Sequence, residues 1–305
     1  MTQPPSRRSV LSAVVNELVQ VNAVVARRPH SRPMPSRDTI VRTVESLRSV
    51  LFPGYFGESE LEPDSVRYYV GNVLDEVRRT LREQVMRGLC FNCGEAGERC
   101  DQCEGRADEI TAAFLTRLPE VRRLLATDVQ AAFEGDPAAK SPDETIFCYP
   151  GILAITNYRL AHELHRLDAP LIPRIITEAA HSATGIDIHP GAEIGEAFFI
   201  DHGTGVVIGE TARIGKRVRL YQGVTLGAKS FPLDEHGNPI KGIDRHPKVD
   251  DDVVIYSGAT ILGPVVIGRG SVIGGNVWLT QGVPPESRIT QAANIAEAFN
   301  QGAGI

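Results

Sequence analysis

Two short polar clusters in this chain hold the residue types that acid–base chemistry needs. Asp201-His202 runs into Gly203-Thr204-Gly205, and Asp244-Arg245-His246 runs into Pro247. Histidine is the side chain whose ordinary pKa lies near neutrality, so it takes up and returns a proton at physiological pH. Arginine presents a planar fork that meets a carboxylate through two parallel hydrogen bonds, which directs Arg245 toward an acid group on a substrate. Asp187 and Glu210 are further carboxylates in the same stretch. A third cluster differs in kind: Cys90, Cys93, Cys100 and Cys103 form two Cys-x-x-Cys pairs, the raw material of a tetrahedral thiolate site. Zinc is the leading metal there, with an iron–sulfur cluster or a labile pair of disulfides as alternatives. Cys148, in an Ile-Phe-Cys-Tyr context, reads as a buried small hydrophobe.

The elements that must carry these residues show two periodicities. From Ser9 to about Ala183 apolar residues recur at helical spacing, near 9–27, 37–51, 65–87, 107–134, 150–167 and 171–183. Ser36 and Ser65 stand where N-caps belong, and Pro150 fits a first helical turn. After Gly185 an aliphatic residue returns every sixth position: Ile188, Ile194, Ile200; Ile208, Ile214, Leu220, Leu226; and Val249, Ile255, Ile261, Ile267, Ile273, Leu279. Neither a helix nor an alternating strand has that period. It is the signature of a parallel β-helix, each hexapeptide supplying one short strand and one turn. Gly191, Gly195, Gly209, Gly215, Gly268 and Gly274 fall at the corners, where positive φ is expected. The repeat breaks twice, with eight residues from Ile200 to Ile208 and 23 from Leu226 to Val249. Packing gives no reason for such breaks, so function is expected at them, and both carry histidine.

Composition excludes several classes. The chain has 305 residues, room for about two domains, with 42% hydrophobic and 23% charged residues. A net charge of −6 gives no global field for nucleic acid or anionic lipid. No uninterrupted apolar run of membrane length and no signal peptide is apparent, and clustered thiols fit a reducing compartment, so a cytoplasmic protein is expected. The architecture expected is α+β: helices over 1–184 with the cysteine knuckle at 90–103, a β-helix over 185–285, and a tail over 286–305.

From about residue 128 to 283 the sequence resembles serine O-acetyltransferases, a family of hexapeptide-repeat enzymes. Asp136-Pro137-Ala138-Ala139, Tyr158-Arg159-Leu160-Ala161-His162, Gly185 to Ala192, Ile200 to Thr211 and Asp244-Arg245-His246-Pro247 carry the resemblance. It implies a left-handed β-helix, acetyl-CoA and L-serine as substrates, and trimers that often pair into hexamers. It further implies that His202 is the base and Asp187 its orienting carboxylate, and that Asp136 and Asp201 bind serine. Arg245 would take the serine carboxylate, and His246, paired with Glu210, would position serine or stabilise the oxyanion. Coenzyme A would lie in the groove between adjacent rods near Gly227, Ala228 and Ser257. The terminal Ile305 would dock into O-acetylserine sulfhydrylase, the next enzyme. Three alternatives remain: another hexapeptide acyltransferase acting on a sugar, a γ-type carbonic anhydrase with His189, His202 and His246 on one metal, and a non-catalytic scaffold. The Asp201 and Arg245 neighbours favour an amino-acid substrate.

Overall fold

In the computed structural model, which describes residues 7–19, 33–58, 60–92 and 98–291, the chain changes character at Gly185. Before it come α1 (Arg7–Val19), α2 (Arg37–Leu51), α3 (Pro63–Asn92), α4 (Glu98–Gly135), α5 (Pro142–Cys148), α6 (Pro150–Arg166) and α7 (Ile172–Thr184). The long helix α4 shows why this half folds as it does. Ala107, Ile110, Phe114, Leu118, Val121, Leu125, Val129 and Ala132, spaced by threes and fours, are all buried along one stripe. Ser36 caps α2, its hydroxyl accepting from the Thr39 amide. Ser65 does not cap α3, which begins at Pro63; its hydroxyl donates instead to the Glu62 carbonyl. Helix α5 was not foreseen, although Ser141 and Glu144 form a capping pair three residues apart, the Ser141 hydroxyl accepting from the Glu144 amide. Cys148, expected inside, is exposed. Thr145 is the buried position of that short helix, and Phe147 and Cys148 fall on its outer side.

Beyond Gly185, which caps α7 in the left-handed conformation, the chain winds into a left-handed parallel β-helix with three faces. The first face stacks β1 (Asp187–Ile188), β4 (Val207–Ile208), β7 (Thr225–Gly227), β10 (Thr260–Leu262) and β13 (Trp278–Leu279). The second stacks β2 (Glu193–Ile194), β5 (Arg213–Ile214), β8 (Lys248–Val249) and β11 (Val266–Ile267). The third stacks β3 (Phe199–Ile200), β6 (Arg219–Leu220), β9 (Val254–Ile255), β12 (Val272–Ile273) and β14 (Arg288–Ile289). Every aliphatic residue of the sixfold repeat lies on a strand of β1 to β13, in parallel register with its equivalents above and below. A second inward position went unread: Ala192, Val206, Ala212, Val218, Val224, Val253 and Ala259, each two residues before an aliphatic, are fully buried.

The corner glycines also differ from expectation. Gly191, Gly195, Gly209, Gly215, Gly268 and Gly274 are not among the residues of positive φ, whereas Ala197, Arg217, Asp252 and Asn276 are. At these glycines it is room that matters. A Cβ on Gly195 would stand 2.6 Å from the Gly215 carbonyl oxygen of the next coil.

The helices seat on the first coil through residues of the Tyr-Arg-Leu-Ala-His segment. Tyr158 donates to the Ala192 carbonyl at 2.5 Å. Buried Arg159 makes a two-point pair with buried Asp128 at 2.6 and 2.9 Å and also donates to the carbonyls of Ile194 and Gly195. Asp128 in turn accepts from the Phe198 amide. Removing either partner would strand a buried charge, a cost of about 3–5 kcal/mol. This clamp fixes α4 and α6 against the coil from which the Asp201-His202 turn projects.

Candidate active site

The two breaks in the repeat lie on opposite edges of the first face. The Asp201–Val206 turn joins β3 to β4, at the edge shared with the third face, while the 228–247 excursion joins β7 to β8, at the edge shared with the second. The expected site residues therefore form two groups separated by the width of a face, on the order of 15 Å.

At the first edge His202 adopts φ 56° and is followed by Gly203 at φ 87° and Gly205 at φ 81°. This run of left-handed residues lifts the imidazole out of the coil, leaving its side chain 73% exposed. Gly203 is required twice over, since a Cβ there would also stand 2.4 Å from Ile186. Asp201 Oδ1 lies 3.5 Å from His202 Nδ1. That contact favours the proton on Nδ1 and leaves Nε2 as the acceptor. Asp136, just past α4, joins this group, and the charge of His202 acts on it. The hydroxyl of Tyr149 and the Ala138 amide both donate to the Asp136 carboxylate and hold its pKa below the usual range. Asp187 stands on β1 one coil below, and among the described residues it forms no hydrogen bond or ion pair with His202.

At the second edge Thr211 organises the group. Its hydroxyl accepts from the amides of Arg245 and His246, and its own amide donates to His246 Nδ1 at 3.1 Å. The neutral His246 ring therefore carries its proton on Nε2. Burial, with the Arg245 charge second, pushes the His246 pKa down. Glu210, expected to pair with His246, pairs with Arg245 instead, Oε2 to Nη2 at 2.5 Å. Burial raises the Glu210 carboxyl, but the Arg245 hydrogen bond and the surrounding positive charge outweigh it and hold its pKa below the ordinary value. A cavity of about 340 Å³ opens beside Glu210 and Thr211, reaching His165 and Asp244. His189 faces the same group, close enough to act electrostatically on Glu210, and burial pushes its own pKa to about 4. Gly227 and Ala228 lie at this edge, whereas Ser257 follows β9 at the edge of His202.

Known families account for this arrangement. The bacterial transferase hexapeptide family (six repeats) matches residues 246–281. Over 276 residues the chain is 55% identical to a plasmid serine acetyltransferase of Synechococcus elongatus, covering 90% of this chain and 86% of that one. The chain belongs to the serine acetyltransferase family. A Mycobacterium tuberculosis serine acetyltransferase is 49% identical over 160 residues, 52% of this chain and 66% of that one. The crystal structure of Entamoeba histolytica serine acetyltransferase 1 in complex with L-cysteine matches with a TM-score of 0.70 at 34% identity, covering 93% of this chain and 97% of that one. A serine acetyltransferase is an acyltransferase, so the carbonic anhydrase and scaffold alternatives fall away.

The cysteine knuckle lies only partly within the described residues. Cys90 and Cys103 are buried at facing ends of α3 and α4, Cys93 falls outside the described residues, and of the Cys100 side chain nothing is described. Among the described residues no group of three or more potential ligands could hold a metal, so the structure does not support the zinc expectation. Ile305 also lies outside the described residues. No described helix is long and apolar enough to cross a membrane.

One residue beside the candidate site that sequence reading took only for a corner glycine is Gly209. A Cβ built on it would stand 2.0 Å from His246 Cδ2, so the imidazole rests on the bare glycine backbone. Gly209→Ala is expected to displace that ring and lower kcat by roughly 10- to 100-fold, the cost of misplacing one group by about 1 Å. Because the clash falls on a side chain, circular dichroism and the melting midpoint should change little. Unchanged turnover in a folded variant would show that the position of His246 does not matter.

Proposed function

We propose that this chain transfers the acetyl group of acetyl-CoA to the hydroxyl of L-serine, giving O-acetylserine and free coenzyme A, in a site assembled between neighbouring copies. The observation that carries this reading is the division of labour between the two edges. One edge offers an accessible base with two carboxylates, Asp136 and Asp201, suited to an ammonium group. The other offers a guanidinium and a neutral imidazole whose Nε2–H is a donor. Serine needs all of these together, and a second rod packed along the first face would bring one edge of each chain against the other edge of its neighbour.

In that groove His202 Nε2 takes the proton from the serine hydroxyl as its oxygen attacks the thioester carbonyl carbon. The carbonyl oxygen gains negative charge, and His246 Nε2–H donates to it. When the tetrahedral intermediate collapses, the carbon–sulfur bond breaks and the thiolate takes the proton back from His202. Arg245 holds the serine carboxylate with the donors that Glu210 and the Ile243 carbonyl leave unused. Asp187, one coil from the turn, shares in orienting the imidazole once the neighbouring rod is in place. Gly227, Ala228 and Ser257 lie where the pantetheine arm would run. Docking of Ile305 into O-acetylserine sulfhydrylase and a cytoplasmic location belong to this reading on sequence grounds.

The test is release of free thiol from acetyl-CoA in the presence of L-serine, of sugar acceptors, and of no acceptor. Release that depends on L-serine is expected; sugar-dependent release without a serine response would overturn the assignment.

A further inference from the structure

Tyr149 occupies an unusual position. It ends α5 and begins α6, its amide donating to the Thr145 carbonyl while Pro150 opens the next helix. Its ring packs against the core between the helices and the first coil, where Ala132, Ile152 and Phe199 meet. Its hydroxyl emerges at the polar end of that wedge and donates to Asp136 Oδ2 at 2.5 Å, while the Ala138 amide donates to Oδ1 at 2.8 Å. The same junction touches the catalytic turn from behind. A Cβ on Gly151 would stand 2.5 Å from the carbonyl oxygen of Ile200, the residue before Asp201. One rigid corner thus backs both the Asp136 carboxylate and the strand that leads into Asp201-His202.

We infer that Tyr149 is a positioning residue for serine binding: its hydroxyl fixes the rotamer of Asp136, aiming the carboxylate at the ammonium group of the bound substrate. This rests on the assignment of Asp136 to serine binding made above. Asp136 follows the last turn of α4 in a short Asp-Pro-Ala turn, its amide donating to the Ala132 carbonyl. Among the described residues, the Ala138 amide is the other hydrogen-bond donor to that carboxylate. The hydrogen bond to Asp136, burial and the charges of Asp136, Glu144 and Asp201 keep the phenol in its protonated, donating form.

The experiment is a double-mutant cycle on the full-length protein with Tyr149→Phe, Asp136→Asn and the pair, read as KM for L-serine, KM for acetyl-CoA and melting midpoint. Tyr149→Phe keeps the ring and removes only the hydroxyl. It is expected to raise the serine KM roughly 10-fold or more, the worth of a hydrogen bond to a charged group, and to leave the acetyl-CoA KM within about twofold. In the Asp136→Asn background the same substitution should add little, because the carboxylate it orients is gone. A merely structural tyrosine would instead lower the melting midpoint and act equally in both backgrounds, which would overturn the proposal. An unchanged serine KM in Tyr149→Phe would also overturn it. If Asp136→Asn alone leaves the serine KM unchanged, the assignment of Asp136 fails; if it raises that KM and Tyr149→Phe does not, only the positioning role fails.

Discussion

Replacing His202 by asparagine is expected to lower kcat for serine acetylation by about 10²- to 10⁴-fold, the usual contribution of a general base. Asparagine is the informative choice. Position 202 has φ 56°, a conformation asparagine adopts more readily than alanine, so the turn keeps its shape while the titratable ring is lost. The side chain is largely exposed and packs against no core residue, so the melting midpoint should move by no more than about 2 °C. Serine still meets Asp136, Asp201 and Arg245, and its KM should change far less than kcat. Thiol release at saturating substrates measures the effect. Near-normal turnover would remove His202 from the mechanism and leave a site with an arginine and two aspartates but no base.

The second large effect is a recovery of activity. His202→Asn and His246→Asn chains should each be nearly inactive, yet co-expressed in equal amounts they should regain about a quarter of the wild-type rate. The estimate takes the trimer that the family resemblance implies, with each site drawing one edge from each of two neighbours. Random mixing puts about three quarters of the rings in a mixed state, and every mixed ring contains one junction where both intact histidines meet. One site in three is then restored in those rings. The structural ground is that the two turns flank the first face from opposite sides, at β3–β4 and at β7–β8. A mixture no more active than its parents would place both histidines in a site built by a single chain, or show that His246 is dispensable.

Much of the architecture was legible because it is periodic. A residue that must face inward every sixth position leaves a direct trace in sequence, and each aliphatic at that period lies on a strand. The helices were legible for the same reason where their buried stripe is long, as in α4, and not where it is short. Helix α5 spans seven residues and buries Thr145. The Ser141–Glu144 capping pair, with Pro142 at the first helical position, was its local sign. The role of the corner glycines was misread because sequence shows that a side chain is absent, but not which neighbour fills the space. At Gly195 the occupant is a backbone carbonyl of the next coil, and at Gly209 it is the imidazole of His246, 37 positions away along the chain.

The site divides along the same line. The residue types proposed for the chemistry were legible in the sequence alone, since the breaks in a strict repeat carry Asp201-His202 and Arg245-His246. Which groups touch was decided by the tertiary structure. Winding the chain into three faces sends the two breaks to different edges, because a turn after the third face and a turn after the first cannot share a corner of the same rod. Packing α5 and α6 against α4 brings Tyr149 to Asp136 across 13 positions, and stacking one coil on the next brings Thr211 to His246 across 35. Hydrogen bonds of this kind depend on distances of a few tenths of an ångström between segments remote in sequence, and no local pattern of residues encodes them.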